Sequence, residues 1–194
     1  DAYFRPMNIQ GSWLPYTGCV MAIDPSGKGR DETAYCVTKF ANGNIYLLDI
    51  GGFNAGYSEH TLSKLVDVAK KHKVNKILIE QNFGQGMFEA LLKPYLIKQY
   101  PCTTEMVHQQ TNKHRRILDT LEPIISQHRL IVDKYVVKKD YEETNMLYPQ
   151  ETALRYQLFY QLSRLQKEVH SLSQDDRIDC LQAVSYTHLT LPTR

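Results

Sequence analysis

Two acidic residues close apolar runs: Asp24 ends the stretch GCVMAID, and Glu80 ends KILIE. A carboxylate at the mouth of a buried strand is costly unless a cation satisfies it. A third acidic group lies far along the chain, Asp175, Asp176 and Asp179 in QDDRIDCLQ. Residues three apart on a helix share a face, so Asp176 and Asp179 are expected to project together. All-oxygen sites suit Mg2+ or Mn2+. Two such ions about 3.5–4 Å apart can activate a water and stabilise the leaving oxygen in phosphodiester hydrolysis. Each acid also has a structural reading. Asp24 precedes Pro25 and could open a turn, Glu80 could pair with a lysine, and the triplet could cap a helix. Spacing alone leaves both readings open.

The elements that must position these acids follow from residue patterning. Gly18 to Asp24, Ala34 to Phe40 and Ile45 to Ile50 read as strands, the last two joined at Ala41-Asn42-Gly43-Asn44, a hairpin signal. Ser58 can cap a helix running to about Lys73, with Leu62, Leu65, Val66 and Ala69 on one face. A strand at Lys76 to Glu80, a helix from Met87 to Gln99 and a strand at Thr103 to His108 follow. Next come a helix from about Lys113 to Gln127 and a short strand or extended stretch at Leu130 to Asp133. The stretch after that reads as a polar connection, then a helix from about Thr152 to Val169 and another starting at Asp175. A strand meander followed by alternating helix and strand predicts an α/β domain, a mixed sheet flanked by helices. If the first and fourth strands are neighbours, they lie about 4.8 Å apart and Asp24 and Glu80 can reach one ion.

Other chemistries find less support. The 194 residues, 42% hydrophobic and 23% charged, describe an ordinary globular chain with enough length for one core. No apolar run approaches the ~18–20 residues of a membrane-spanning helix. Cys19, Cys36, Cys102 and Cys180 are scattered, which predicts buried free thiols rather than a zinc cage or disulfide framework. The segment Pro25-Ser26-Gly27-Lys28-Gly29 lacks the first glycine and the Ser/Thr of a phosphate loop. A net charge of +2 is too small to mark a nucleic-acid binder by itself. DNA contact would have to come from a local patch, Lys70-Lys71-His72-Lys73 or Lys113-His114-Arg115-Arg116. Residues 1–17 read as a linker remnant and 18–183 as the domain. Residues 184–194 read as a non-native tail, because VSYTHLTLPT resembles a conceptual translation of a sequencing-library transposon-end adaptor.

Several segments gain meaning in combination: DPSGKGRDETAY from Asp24, DIGGF from Asp49 followed by GYS, EQNFGQGMF from Glu80, KHRRILDTLEP from Lys113, HRL from His128, QLFYQLSRL from Gln157, and DDRID from Asp175. In this order they resemble the C-terminal nuclease domain of phage terminase large subunits, particularly those of short-tailed podoviruses. The resemblance implies an RNase H-like fold with adjacent first and fourth strands. It also implies a metal-dependent endonuclease that cuts concatemeric double-stranded DNA during genome packaging in the host cytoplasm. Asp24 then matches the first catalytic acid and Glu80 the second. The third metal ligand comes from the C-terminal cluster, in the order of preference Asp176, Asp179, Asp175. Two Mg2+ or Mn2+ ions are the implied cofactor, and Lys113, Arg115 and Arg116 the implied phosphate contacts. Portal and small terminase subunit are expected partners through the full-length protein, with an ATPase domain expected upstream and absent from this sequence. Gln174 stands where relatives often carry His. The alternatives are a Holliday-junction resolvase or transposase-like nuclease of the same fold, or a non-catalytic module docking on portal or small subunit.

Overall fold

The computed structural model describes residues 18–26, 32–81, 86–108, 112–166 and 172–190. The linker at 1–17 and most of the phosphate-loop lookalike lie outside them. Three strands, β1 (Gly18–Asp24), β2 (Thr33–Ala41) and β3 (Asn44–Phe53), form an antiparallel meander. The β2–β3 turn places Asn42 and Gly43 at φ 48° and 76°, the left-handed region that the Asn-Gly pair tolerates. The chain then crosses over through α1 (Glu59–His72) to β4 (Lys76–Glu80), which pairs with β1 in parallel. Helix α2 (Met87–Gln99) leads to β5 (Thr103–Val107), parallel to β4. Helix α3 (Lys113–Ser126) leads to β6 (Leu130–Val132), which pairs with the far edge of β3. The sheet order is β5-β4-β1-β2-β3-β6, the RNase H-like arrangement expected.

Alternation along the strands divides the core into two layers. Met21, Ile23, Ile77 and Ile79 pack under α1 and α2 with Leu65, Leu92 and Leu96. Val20, Ala22 and Leu78 face the other way, against α3 and the last helix, with Ile117, Leu121, Ile178 and Leu181. Asp24 and Glu80 fall in the second set, so their side chains point toward the C-terminal helix. Ser58 caps α1 by accepting from the Thr61 N–H, and Lys73 closes the helix at φ 54°.

The C-terminal third departs from the sequence expectation. The polar connection is a helix, α4 (Lys134–Leu147), capped by Asp133. Its buried positions are Val136, Asp140 and Thr144. A helix whose inner stripe is mostly polar has no apolar periodicity to read, which is why patterning missed it. The single helix expected from Thr152 is two short ones, α5 (Gln150–Tyr156) and α6 (Leu158–Arg164), separated by extended Gln157.

Helix α7 (Asp176–Thr190) does not stop at Ala183. Val184, Ser185 and His188 are buried, and His188 stacks on Phe40 and shares a hydrogen bond with Thr38. Leu181, Val184, Ser185 and His188 continue the inner face at helical spacing, so this stretch packs whatever its origin. Truncation after Ala183 is therefore expected to destabilise rather than to be neutral. Losing fully buried Val184 alone is worth about 1.5–3 kcal/mol. A thermal melt should fall by roughly 5 °C or more for a domain of this size.

The DIGGF segment has a structural explanation. Buried Asp49 takes His72 Nε2 at 2.7 Å, Lys139 Nζ at 2.7 Å and Lys71 Nζ at 3.4 Å. Burial alone would raise its carboxyl pKa, but these partners outweigh it and hold the group well below the usual carboxylate range. Next to it, a Cβ on Gly51 would press on the Tyr35 ring, and one on Gly52 would run into the Glu32 carboxylate. The two glycines let β3 lie flat against those buried groups.

Candidate metal centre

Parallel pairing of β1 and β4 sets Ile23 against Ile79, so Asp24 and Glu80 stand side by side one residue further on. Helix α7 packs over β1 and β2 and brings in Asp179 from the third acidic group. One carboxylate oxygen each from Asp24, Glu80 and Asp179 lie within 4.8 Å of one another. Asp179 is 1% exposed and Asp24 6%. Three acids contributed by residues up to 155 positions apart in sequence thus meet in a nearly dry place.

The electrostatics follow from that crowding. Burial first, then the Glu80 charge, raises the Asp24 carboxyl well above its ordinary pKa, with Asp176 and Asp179 adding to the effect. Glu80 is raised to about 7, by burial, by the Asp179 charge and by a hydrogen bond shared with Asp179. Two cations from α3 temper this. Lys113 Nζ lies 3.0 Å from Asp175, 3.2 Å from Asp179 and 3.9 Å from Asp24. Burial lowers its pKa, but the charges of Asp179, Asp175 and Asp24 outweigh that and hold the ammonium charged. Arg116 Nη2 donates to Asp179 Oδ1 at 2.6 Å and lies 4.0 Å from Glu80. Gln182 orients Arg116 by accepting from its Nε at 3.0 Å, and itself donates to Thr120.

A hard divalent cation fits this donor set. All three groups are carboxylates, which is what Mg2+ or Mn2+ prefers. Among the described residues, buried Asp179 Oδ2 takes no hydrogen bond and lies 3.2 Å from Lys113 Nζ. Burial first, and neighbouring carboxylates second, raise the Asp24 and Glu80 carboxyls, and a bound cation would offset the second effect.

The expected site residues are only partly brought together. Asp24 and Glu80 meet as anticipated. Asp179, one turn into α7, reaches the two strand acids, whereas Asp176, the first choice, opens the helix and acts on Asp24 through its charge. Asp175 precedes the helix and pairs with Lys113. The basic group on α3 also divides. Lys113 and Arg116 turn inward to the acids, and Arg116 is 14% exposed. Arg115 points to solvent at 84% exposure, with Asp119 3.6 Å away. Beside the acids an open groove of about 800 Å³ runs past His108, Asn112, Arg115, Arg116, Gln182 and Tyr186. Sequence reasoning passed over Gln182 and Arg177. An arginine on the inner stripe of α7, between two acids, was the available signal for the second.

Known proteins share this architecture. The nuclease domain of human cytomegalovirus terminase, soaked with Mn and bound to an inhibitor, superposes with a TM-score of 0.59 at 11% identity, covering 88% of this chain and 83% of that one. A mutant fragment of the large terminase subunit of bacteriophage Sf6, solved with calcium, gives 0.57 at 13% identity, covering 89% and 90%. At such identities the likeness establishes the fold. Sequence goes further. The large terminase subunit of Enterobacteria phage T3 is 41% identical over 167 residues, 86% of this chain, which spans 28% of that relative's length. Residues 23–130 match the family described as Terminase Bacteriophage T7, Ribonuclease H-like domain. With the family matched over more than half its length and the sheet order in agreement, this chain belongs to the ribonuclease H-like domains of T7-type terminase large subunits.

Proposed function

We propose that this domain is a metal-dependent endonuclease that cuts concatemeric double-stranded DNA during phage genome packaging, in the host cytoplasm. The observation that carries the reading is the convergence of Asp24, Glu80 and Asp179 within 4.8 Å. These three would hold Mg2+ or Mn2+, with Asp176 and Asp175 at the rim of the site. A pair of such ions supplies an activated water and charge stabilisation for the leaving oxygen of the phosphodiester.

The protein's own groups do the positioning. Arg116, braced by Gln182, fixes the rotamer of Asp179. Lys113 sets its charge beside Asp24, Asp175 and Asp179, against the same oxygens a metal would use. Arg115, extended into solvent at the groove, is placed to meet a backbone phosphate. Lys113 and Arg116 were anticipated as DNA contacts, and their ion pairs favour a role in the acidic centre instead. Portal, small terminase subunit and an upstream ATPase domain are partners of the whole protein under this reading.

Purified protein stripped with chelator should leave supercoiled plasmid intact, and millimolar Mn2+ should restore cutting of plasmid and of linear duplex. Strong preference for a four-way junction over linear duplex would support the resolvase alternative. Absence of cutting with every divalent ion tried would favour a docking module. Arg115→Ala should weaken DNA binding without sequence preference and lower the salt slope by roughly 1. An unchanged slope would remove Arg115 from the interface.

A further inference from the structure

Helix α7 carries a second ionic anchor besides the Asp179–Arg116 pair. Arg177 is fully buried. Its Nε and Nη2 donate to Glu32 Oε1 and Oε2 at 2.6 and 2.9 Å, and its Nη1 donates to Asp140 Oδ1 at 2.7 Å. Tyr148 donates to Glu32 Oε2 at 2.8 Å and stacks on Tyr156 with ring centres 3.7 Å apart. Asp140 Oδ2 accepts from the Phe159 N–H at 3.4 Å. The neighbouring Ile178 N–H is held by Gln161 of α6 at 3.0 Å. Glu32 lies immediately before β2, whose Ala34 is paired with Asp24. The first turn of α7 is thereby tied to β2, α4 and α6 at the level of the acidic centre.

We propose that Arg177 is a positioning residue for the metal centre, its fork on Glu32 and Asp140 fixing the rotation of α7 so that Asp179 faces Asp24 and Glu80. This rests on the metal-centre reading above. Successive helical residues are about 100° apart, so Arg177 and Asp179 leave α7 on nearly opposite sides. Anchors on opposite sides oppose rolling of the helix. A roll of about 20° would carry a side-chain tip some 5 Å from the axis through about 2 Å. That is a large fraction of the 4.8 Å within which the three carboxylates meet. Stability alone is a poor reason for the arrangement, since buried ion triads can often be replaced by apolar groups without loss. The bidentate geometry to Glu32 gives direction as well as attraction.

The test compares the full chain with Arg177→Lys, Tyr148→Phe and a core control on the same helix, Ile178→Val. Mn2+ affinity is measured by calorimetry, and the Mn2+ dependence of plasmid cutting and the melting temperature are measured alongside. Lysine keeps the charge but loses the fork. Arg177→Lys should weaken Mn2+ binding roughly 10-fold or more, the range seen when groups that orient metal ligands are altered. Cutting should recover toward wild type at saturating Mn2+. Tyr148→Phe removes one hydrogen bond to Glu32 and should weaken binding roughly 3-fold. It decides the question should the lysine variant not fold. Ile178→Val should lower the melting temperature and leave Mn2+ affinity unchanged. Wild-type protein that binds Mn2+ and cuts, alongside folded variants of unchanged affinity, would overturn the positioning role alone. Wild-type protein that neither binds Mn2+ nor cuts would overturn the metal-centre reading and this proposal with it.

Discussion

Asp24→Asn and Glu80→Gln are each expected to reduce plasmid cutting by about 10³-fold or more, with the fold retained. Each replacement is close to isosteric and removes one negative charge from a cluster of three carboxylates. In a site this dry, the lost charge is poorly replaced by water. A 10³-fold loss corresponds to about 4 kcal/mol of transition-state stabilisation. Circular dichroism and melting temperature establish the fold, and a gel of supercoiled, nicked and linear plasmid reads the activity. Wild-type cutting by either variant would remove that acid from the mechanism.

The second large effect is an inversion of stability with metal. Crowded, buried carboxylates oppose one another in the metal-free protein, where burial first and neighbouring charge second raise the Asp24 and Glu80 carboxyls. Asp24→Asn should therefore melt at or above wild type without metal. A cation that binds only the folded state stabilises it by roughly 1.4 kcal/mol at ten times its Kd. That is about 3–6 °C here. With millimolar Mn2+ wild type should rise by this amount and Asp24→Asn should not, so the order inverts. Loss of stability by Asp24→Asn under both conditions would make Asp24 a structural residue.

Burial, together with this crowding, sets the pH dependence. Glu80 titrates near 7 in the folded protein against an ordinary 4.5, so the folded state holds its proton more tightly. The stability this confers is fully present below about 4.5 and is lost as pH rises through 7. Metal-free protein should therefore become less stable between pH 5 and 8, and Mn2+ should flatten that decline. A flat metal-free profile would mean that the Glu80 carboxyl is not raised.

The sheet and its first three helices were legible because their residues obey simple patterns. Strand β1 is an unbroken apolar run closed by Asp24, and Leu62, Leu65, Val66 and Ala69 recur at helical spacing in α1. Legibility failed where burial is polar. The inward face of α4 is held by Asp140, Thr144 and a lone valine, and its partner Arg177 comes from 37 residues away. No local pattern announces such a pair. The strand acids could be recognised because each ends an apolar run. The choice among Asp175, Asp176 and Asp179 could not be made from spacing, since it depends on how far α7 reaches over the sheet. Lys113 and Arg116 read as phosphate contacts because the acids they pair with come from other elements of the fold.

The most direct test of the metal centre is anomalous diffraction from crystals of this domain soaked in Mn2+. One or two strong Mn peaks are expected, bounded by Asp24, Glu80 and Asp179, about 2.1 Å from their oxygens and, if paired, about 3.5–4 Å apart. Lys113 should withdraw from Asp179 to admit them. Soaked crystals with no Mn peak at these three carboxylates, and with Lys113 still lying against Asp179 and Asp175, would contradict the metal-centre reading.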